Sequence, residues 1–276
     1  MRAPTSRARP STTMRLVRPA PLARCMYCLA DGAPRTEEHL IPRALGGRLT
    51  LLDAVCEPCR RITGRLEQVT LDREFVVPKT LLALKRRRAR ASGPSHLPPV
   101  PIEGEDVPST LTPATFPRTF ALPAFEPAAL LAGIARTAPP RVEFVDCHLN
   151  LGTPLRQARA IVAPLADPHA YGYAIAKWAY ALAIAERGLA CCDTQAMRDL
   201  MRGRREDAFA FVGTPAPRAS ASREWLHHYA VQENGAWLTV TLALFASAGM
   251  TPYEVVIGQL PGKLTEVRPA AAPPPR

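Results

Sequence analysis

The chain has 276 residues, enough for one large or two small domains, and 47% of them are hydrophobic. Its 35 Lys and Arg against 24 Asp and Glu give a net charge of +11, which favours a polyanionic partner such as nucleic acid. Seven cysteines, an odd number, argue against a disulfide-rich secreted protein and favour a reducing cytoplasm. The longest apolar run, Trp178 to Ala185, is far shorter than the roughly 20 residues that a membrane span needs. We therefore expect no membrane-spanning segment.

Composition divides the N-terminal half into three parts. Residues 1–23 are rich in Arg and contain no acidic residue, and we interpret them as a disordered basic arm. Residues 24–92 follow as a compact module that is bounded by cysteines and ends in the basic helix LLALKRRRARA. Proline recurs through residues 93–127, and because proline fixes φ and lacks an N–H, this segment predicts an exposed, extended linker.

Residues 128–262 predict a second domain, which begins with helical stretches. These stretches are 128–136, 170–187 and 194–202. The second is the strongest, because its apolar residues recur at helical spacing and Gly188 stands where a C-terminal cap is expected. Asp193 is the expected N-cap of the third.

The strand signals lie mostly near the C-terminus. RVEFVD at 141–146 predicts one strand, and Asn234-Gly235 predicts a type I′ turn between two apolar-rich strands. Residues 253–258 (YEVVIG) add a third strand, which gives a small antiparallel sheet with helices packed against it. Residues 263–276 predict a disordered tail.

Two Cys-x2-Cys pairs carry the clearest chemical signal. Cys25 and Cys28 form the first pair, and Cys56 and Cys59 form the second. Two such pairs separated by a few tens of residues can close a tetrahedral thiolate shell around Zn²⁺, whereas two pairs of buried thiols would be the plain alternative. A zinc with four protein ligands has no open position for water, so this zinc would be structural and catalysis would have to lie between the knuckles.

Glu37-Glu38-His39-Leu40-Ile41-Pro42 lies between the two knuckles and is followed by Leu45-Gly46-Gly47. In this order the sequence resembles the HNH endonuclease family, specifically its zinc-containing bacterial branch with the order C-x2-C, EHIIP, LGG, C-x2-CN. The resemblance is specific across residues 25–67. It extends more weakly to AIAKWAYALAIAERG and to the last hairpin.

The resemblance implies a ββα-metal, treble-clef-like fold and a metal-dependent DNA endonuclease. Glu38 would bind a divalent ion, Mg²⁺ or Mn²⁺, and His39 would be the general base that takes a proton from water. The ion would stabilise charge on the scissile phosphate and on the departing oxygen.

One departure from the family pattern leaves three outcomes open. The family places Asn, its second metal ligand, directly after the fourth cysteine, and this chain has Arg60, whose guanidinium cannot ligate a cation. In the first outcome, the site is active because a substitute such as Asp53 or Glu57 binds the ion with Glu38. In the second, the site has weakened activity. Alternatively it is inactive, and Arg60 contacts a phosphate directly.

Several basic residues are expected to contact the nucleic-acid backbone, because they lie on the motif's loops or in the dense basic run that follows it. They are Arg43, Arg48, Arg60, Lys85, Arg86, Arg87 and Arg88. The plain alternative is that such charges are only solvated.

The sequence as a whole predicts an α+β protein: an N-terminal ββα-metal zinc module and a C-terminal domain of helices packed on a small antiparallel sheet. The favoured function is hydrolysis of DNA phosphodiester bonds with His39 as base, with structural Zn²⁺ and catalytic Mg²⁺ or Mn²⁺. The alternative is a catalytically inactive zinc module that binds nucleic acid. A purely structural knuckle in an interaction scaffold ranks last, because it leaves the Glu-His-x-x-Pro arrangement unexplained.

Overall fold

A computed structural model describes residues 20–88, 119–135, 140–148, 167–215, 225–250 and 252–263, with the side chains of 83–88 excepted. The predictions of a basic arm and of a disordered tail fall almost entirely outside these ranges. Within them, helices alternate with small antiparallel sheets, so the predicted α+β class is confirmed. No helix in the described ranges is both long enough and apolar enough to cross a bilayer.

The N-terminal module is a hairpin followed by a helix. Strand β1 (Arg35–His39) pairs antiparallel with β2 (Thr50–Cys56), and the register shifts between Thr36 and Glu38. Helix α1 (Glu57–Arg73) begins directly after β2, with a proline in its first turn, where a missing N–H costs no helical hydrogen bond. Helix α2 (Val76–Arg88) follows. This order is the ββα arrangement that the sequence predicts.

Helix α4 (Pro168–Arg187) lies at the centre of the fold, after the short α3 (Ala129–Ala132). It begins at the Asp167 cap, whose side chain accepts from the Ala170 N–H at 2.9 Å, and ends before Gly188. Every residue from 170 to 184 is buried. A helix that is buried on all sides belongs in the core of a protein, and the many alanines of α4 let its neighbours approach closely.

The second half contributes two sheets around α4. Strand β3 (Thr119–Phe125) pairs with β4 (Val142–His148). The four-stranded antiparallel sheet has the order β5-β8-β7-β6. Its strands are β5 (Val212–Gly213), β6 (His227–Asn234), β7 (Trp237–Leu244) and β8 (Tyr253–Gln259). The short helices α5 (Gln195–Met201) and α6 (Ala208–Phe211) complete the α-helices of the described ranges.

The structure corrects three local predictions. The β6–β7 turn is centred on Gly235 and Ala236 rather than on Asn234-Gly235, because Asn234 pairs with Trp237 and ends the strand. Only Gly235 has a positive φ, +60°, as in a type II′ turn. Helix α3 is four residues long, much shorter than 128–136. Thr194, not Asp193, is the N-cap position of α5, although the Asp193 carboxylate accepts from the Gln195 N–H at 2.9 Å.

The last part of the proline-rich segment is a strand rather than an exposed linker. Five of the seven residues of β3 are buried, Leu122 completely so. Proline is tolerated in β3 because this two-stranded sheet has no inner strand, and Pro123 lies opposite Phe144. Residues 93–118 lie outside the described ranges, and the proposed domain boundaries stay predictions.

Buried side chains of the N-terminal module and of the C-terminal elements form one continuous apolar cluster. Phe75 stacks on Tyr171 of α4 with ring centroids 5.5 Å apart and lies 5.6 Å from Trp178. The Tyr180 hydroxyl donates to the Met26 carbonyl at 2.7 Å, deep inside the N-terminal module. Helix α4 is therefore core to both halves of the described chain.

His227 connects the last sheet to the loop of the first hairpin. Its Nε2 lies 2.7 Å from the Leu45 carbonyl, and its Nδ1 lies 3.3 Å from the Phe245 N–H. A carbonyl can only accept and an N–H can only donate, so the ring is neutral with its proton on Nε2. Burial lowers the pKa of His227 to about 4, although the bond to Leu45 opposes this shift.

We expect stability to fall as the pH drops from 7 to 4. The unfolded chain takes up a proton at His227 near pH 6.5, whereas the folded chain does so only near pH 4. His227 therefore contributes fully to the free energy of unfolding above pH 6.5, and this contribution is lost as the pH falls to 4. The full difference is on the order of 3 kcal/mol. Urea unfolding of the wild type and of His227→Gln at pH 7, 5.5 and 4.5 measures it. A wild type and variant with the same pH dependence would contradict this assignment.

Candidate functional site

Four cysteines meet at the end of the first hairpin. Cys25 and Cys28 lie on the turn before β1, Cys56 ends β2, and Cys59 lies in the first turn of α1. All four Sγ atoms lie within 4.8 Å of one another, and those of Cys28 and Cys56 are 3.6 Å apart. Tetrahedral zinc with Zn–S bonds of about 2.3 Å separates its sulfurs by about 3.8 Å. The cluster therefore has the composition and dimensions of a structural zinc site.

Backbone contacts hold the first knuckle against β2. The Leu29 N–H donates to the Cys25 carbonyl at 2.8 Å, and Leu29 itself has a φ of +61°, which closes the turn tightly. The Met26 N–H donates to Ala54 at 2.8 Å, which attaches the knuckle to the strand. The Cys56 N–H points at the Cys25 Sγ at 3.5 Å and would stabilise a thiolate there.

The loop between the two strands explains the paired glycines. Gly46 has a φ of +99°, a conformation that residues with a Cβ rarely adopt. A Cβ at Gly47 would lie 1.8 Å from the Ile41 carbonyl oxygen, so only glycine fits. This tight loop carries Arg43 and Arg48, both exposed, immediately beyond the end of β1.

Glu38 and His39 lie side by side at that end of β1 and differ in their surroundings. Glu38 pairs with Leu51 and is buried, whereas His39 pairs with Thr50 and is half-buried. Successive strand residues point to opposite faces, so the two side chains separate. Among the described residues the His39 ring has no hydrogen-bond partner. Its role as general base stays a prediction.

The zinc cluster, the hairpin and α1 lie in the part of the chain that matches a known family. Residues 25–76 match the family described as HNH endonuclease. The match to the family described as HNH endonuclease begins at the first cysteine of the cluster and ends at the start of α2. No curated protein and no solved structure matches the chain. The HNH module is thus a nuclease-type zinc module, and the remainder of the chain has no such comparison.

Glu38 of the HNH module is held by a lysine of α4. Lys177 Nζ lies 2.8 Å from Glu38 Oε1, and the Tyr27 hydroxyl donates to the same oxygen at 3.3 Å. The side chains of Lys177 and Glu38 are 4% and 7% exposed. Although burial disfavours an ammonium, the carboxylates of Glu38 and Glu67 raise the pKa of Lys177, so it remains charged.

Glu67 of α1 completes this ionic cluster. Its Oε2 accepts from Lys177 Nζ at 2.8 Å, and its Oε1 accepts from the Trp178 indole N–H at 2.5 Å. The Lys177 ammonium therefore lies between two carboxylates of the HNH module, one from β1 and one from α1. Lys177 and Trp178, two consecutive residues of α4, both donate to Glu67 and so join the helix to the module.

Arg60, at the family's second ligand position, is also engaged in an ion pair. Its Nε and Nη2 contact the two carboxylate oxygens of Glu57 at 2.6 and 2.9 Å, and Arg61 Nε contacts Glu57 at 2.9 Å. Hydrogen bonds from Arg60 and Arg61 lower the pKa of Glu57 to about 2. The Arg60 side chain is 54% exposed, so the pair remains open to solvent.

Asp53, the suggested substitute ligand, is exposed where the strand register shifts and has a φ of +49°. Its carbonyl accepts from Arg35 Nε at 2.9 Å. In the described ranges the four cysteines are the one group of three or more His, Cys, Asp or Glu side chains within metal-binding reach. The ammonium of Lys177 and the guanidinium of Arg60 thus stand where family resemblance expects ion ligation, and the residues as arranged do not fit a divalent ion at Glu38.

The predicted backbone-contacting residues fall into two groups. Arg43, Arg48 and Arg60 are exposed on the HNH module. Lys85, Arg86, Arg87 and Arg88 lie in the last turns of α2, where the backbone is described and the side chains are outside the description. Their contact with nucleic acid stays a prediction.

Sequence reasoning missed Lys177 and Glu67. One signal was present: a lysine inside a stretch that is otherwise apolar on every side, from Ala170 to Ala185, has to find a buried counter-charge. The identity of that partner was not readable, since Glu67 lies 110 positions earlier in the chain.

We expect the protein purified under reducing conditions to contain one zinc per chain, and Cys59→Ala to lose it. Because ligand binding and folding of such modules are coupled, with structural zinc worth on the order of 10 kcal/mol in zinc-finger peptides, the variant's module should unfold. Elemental analysis and circular dichroism measure both effects. Cys191→Ala, a half-buried cysteine outside the cluster, is the matched control and should keep its zinc. Equal zinc content in the two variants would refute the site.

Proposed function

We propose that the HNH module binds the phosphodiester backbone of DNA and does so without a catalytic divalent ion. One observation carries the second part: the residues at both expected ligand positions, Glu38 and Arg60, already form ion pairs, with Lys177 and Glu57 respectively. A carboxylate that neutralises a buried ammonium is not available to a metal ion. The module would then keep the fold of a nuclease and bind DNA without cleaving it.

The charge of the module supports a nucleic-acid partner. From Arg24 to Arg88 the sequence has 13 Lys and Arg against 8 Asp and Glu. Arg43 and Arg48 are exposed on the loop that follows His39 along the chain, where both guanidinium groups could contact phosphates. Neutralising phosphates releases condensed counterions, which supplies affinity without sequence preference. No groove-reading helix is needed for such binding.

The second candidate function is hydrolysis by an HNH endonuclease with His39 as general base and Mg²⁺ or Mn²⁺ at Glu38, assisted by Asp53. The observation that favours it is the half-exposed His39 ring, which has no partner among the described residues. Histidine is the side chain that most often serves as a general base in hydrolysis. This reading requires Glu38 to exchange Lys177 for the ion.

A plasmid assay distinguishes the two candidates. Zinc-loaded protein is mixed with supercoiled plasmid with and without added Mg²⁺ or Mn²⁺, and mobility and nicking are followed on the same gels. We expect a mobility shift under every condition and no nicking. Metal-dependent nicking that disappears in His39→Ala would establish the endonuclease instead. Absence of both shift and nicking at low salt would contradict the two proposals together.

We expect Arg43→Ala and Arg48→Ala each to weaken DNA binding and to reduce the slope of log affinity against log salt by about 1, as for the loss of one phosphate contact. Fluorescence anisotropy with a labelled duplex at several salt concentrations measures this slope. Arg141→Ala is the matched control, because Arg141 is an exposed arginine directly before β4, outside the HNH module. If Arg141→Ala lowers the DNA affinity and the salt slope as much as the two loop variants do, binding reflects net charge alone.

A further inference from the structure

The contact between Lys177, Glu38 and Glu67 has the composition of an occupied cation site. The ammonium nitrogen lies 2.8 Å from one carboxylate oxygen of each glutamate. The three side chains are 4%, 7% and 19% exposed, so water contributes little to their solvation. Tyr27 and Trp178 add one donor to each carboxylate. Burial raises the pKa of Glu38, and the Lys177 ammonium opposes this shift.

Carboxylate oxygens are also the ligands that Mg²⁺ and Mn²⁺ prefer. Glu38 is the residue at which family resemblance expects such an ion. The cation that the structure places against Glu38 is instead a side chain of α4, from a part of the chain outside the family match. The position is filled by the protein itself.

We propose that Lys177 replaces the divalent cation of the HNH module, and that Glu38 and Glu67 form a divalent-cation site closed by this intramolecular ammonium. The inference goes beyond DNA binding and holds whether or not the module binds DNA. It explains why a buried glutamate can persist in a module that has a non-ligating arginine at position 60: the charge of Glu38 is balanced by Lys177. The proposal also implies that the N-terminal module needs no metal ion other than zinc for its folding.

In the first test, the zinc-saturated wild type is titrated with Mn²⁺. Calorimetry measures binding, and the unfolding temperature is measured at each Mn²⁺ concentration. We expect neither saturable binding that depends on Glu38 nor a rise in the unfolding temperature. Wild-type binding of one Mn²⁺ that Glu38→Gln abolishes would overturn the proposal, because the site would then accept the ion in the presence of Lys177.

The second test removes the ammonium. Lys177→Ala leaves two buried carboxylates facing each other, so we expect a lower unfolding temperature that Mn²⁺ restores. The restoration should be roughly 5–10 °C when Mn²⁺ is about 100 times its dissociation constant. Adding Glu67→Gln to Lys177→Ala should abolish the response to Mn²⁺. A folded Lys177→Ala protein that is indifferent to Mn²⁺ would refute the latent site.

Lys79→Ala is the matched control, because Lys79 also contacts a carboxylate, Asp72 at 2.6 Å, but that pair is solvent-exposed. It should change the unfolding temperature little and show no Mn²⁺ response. If Lys177→Ala does not fold with or without Mn²⁺, the wild-type titration decides by itself. Neither readout involves DNA, so a failure here is distinguishable from a failure of the DNA-binding proposal.

Discussion

An ammonium group that is buried away from water requires opposite charge within reach, and Lys177 has two carboxylates at 2.8 Å, from Glu38 of β1 and Glu67 of α1. Removing one partner from such a cluster leaves a buried charge uncompensated, which typically costs several kcal/mol. The position of α4 against the HNH module is thereby determined within narrow limits. The apolar contacts of Phe75 with Tyr171 and Trp178 then follow from that placement.

The zinc cluster solves a different problem, that of a small module with little interior of its own. About 50 residues bury too little surface to be firmly stable alone, and a metal that joins a knuckle, a strand end and a helix start compensates for this. The thiolates fix the hairpin to α1, and the ionic cluster fixes both to α4. Two separate devices thus position the strand end that bears His39.

These constraints shape what the module can do. Glu38 faces the interior and His39 the partly open side, because successive strand residues point to opposite faces. Arg43 and Arg48 border the open side on a loop whose shape depends on Gly46 and Gly47. The proposed phosphodiester ligand would meet these guanidinium groups and the imidazole on the open side of the strand.

The sequence by itself determined the features that depend on local spacing. These are the four-cysteine frame, the HNH resemblance, the central helix and the last hairpin, because ligand spacing, helical periodicity and a turn glycine are properties of neighbouring residues. It misplaced the turn by one residue and took β3 for a linker, since strand pairing and burial depend on distant segments. Only the tertiary structure decided what Glu38 contacts. Its partner Lys177 lies far along the chain, and the free energy of burying an ammonium is defined only once the core around it has formed.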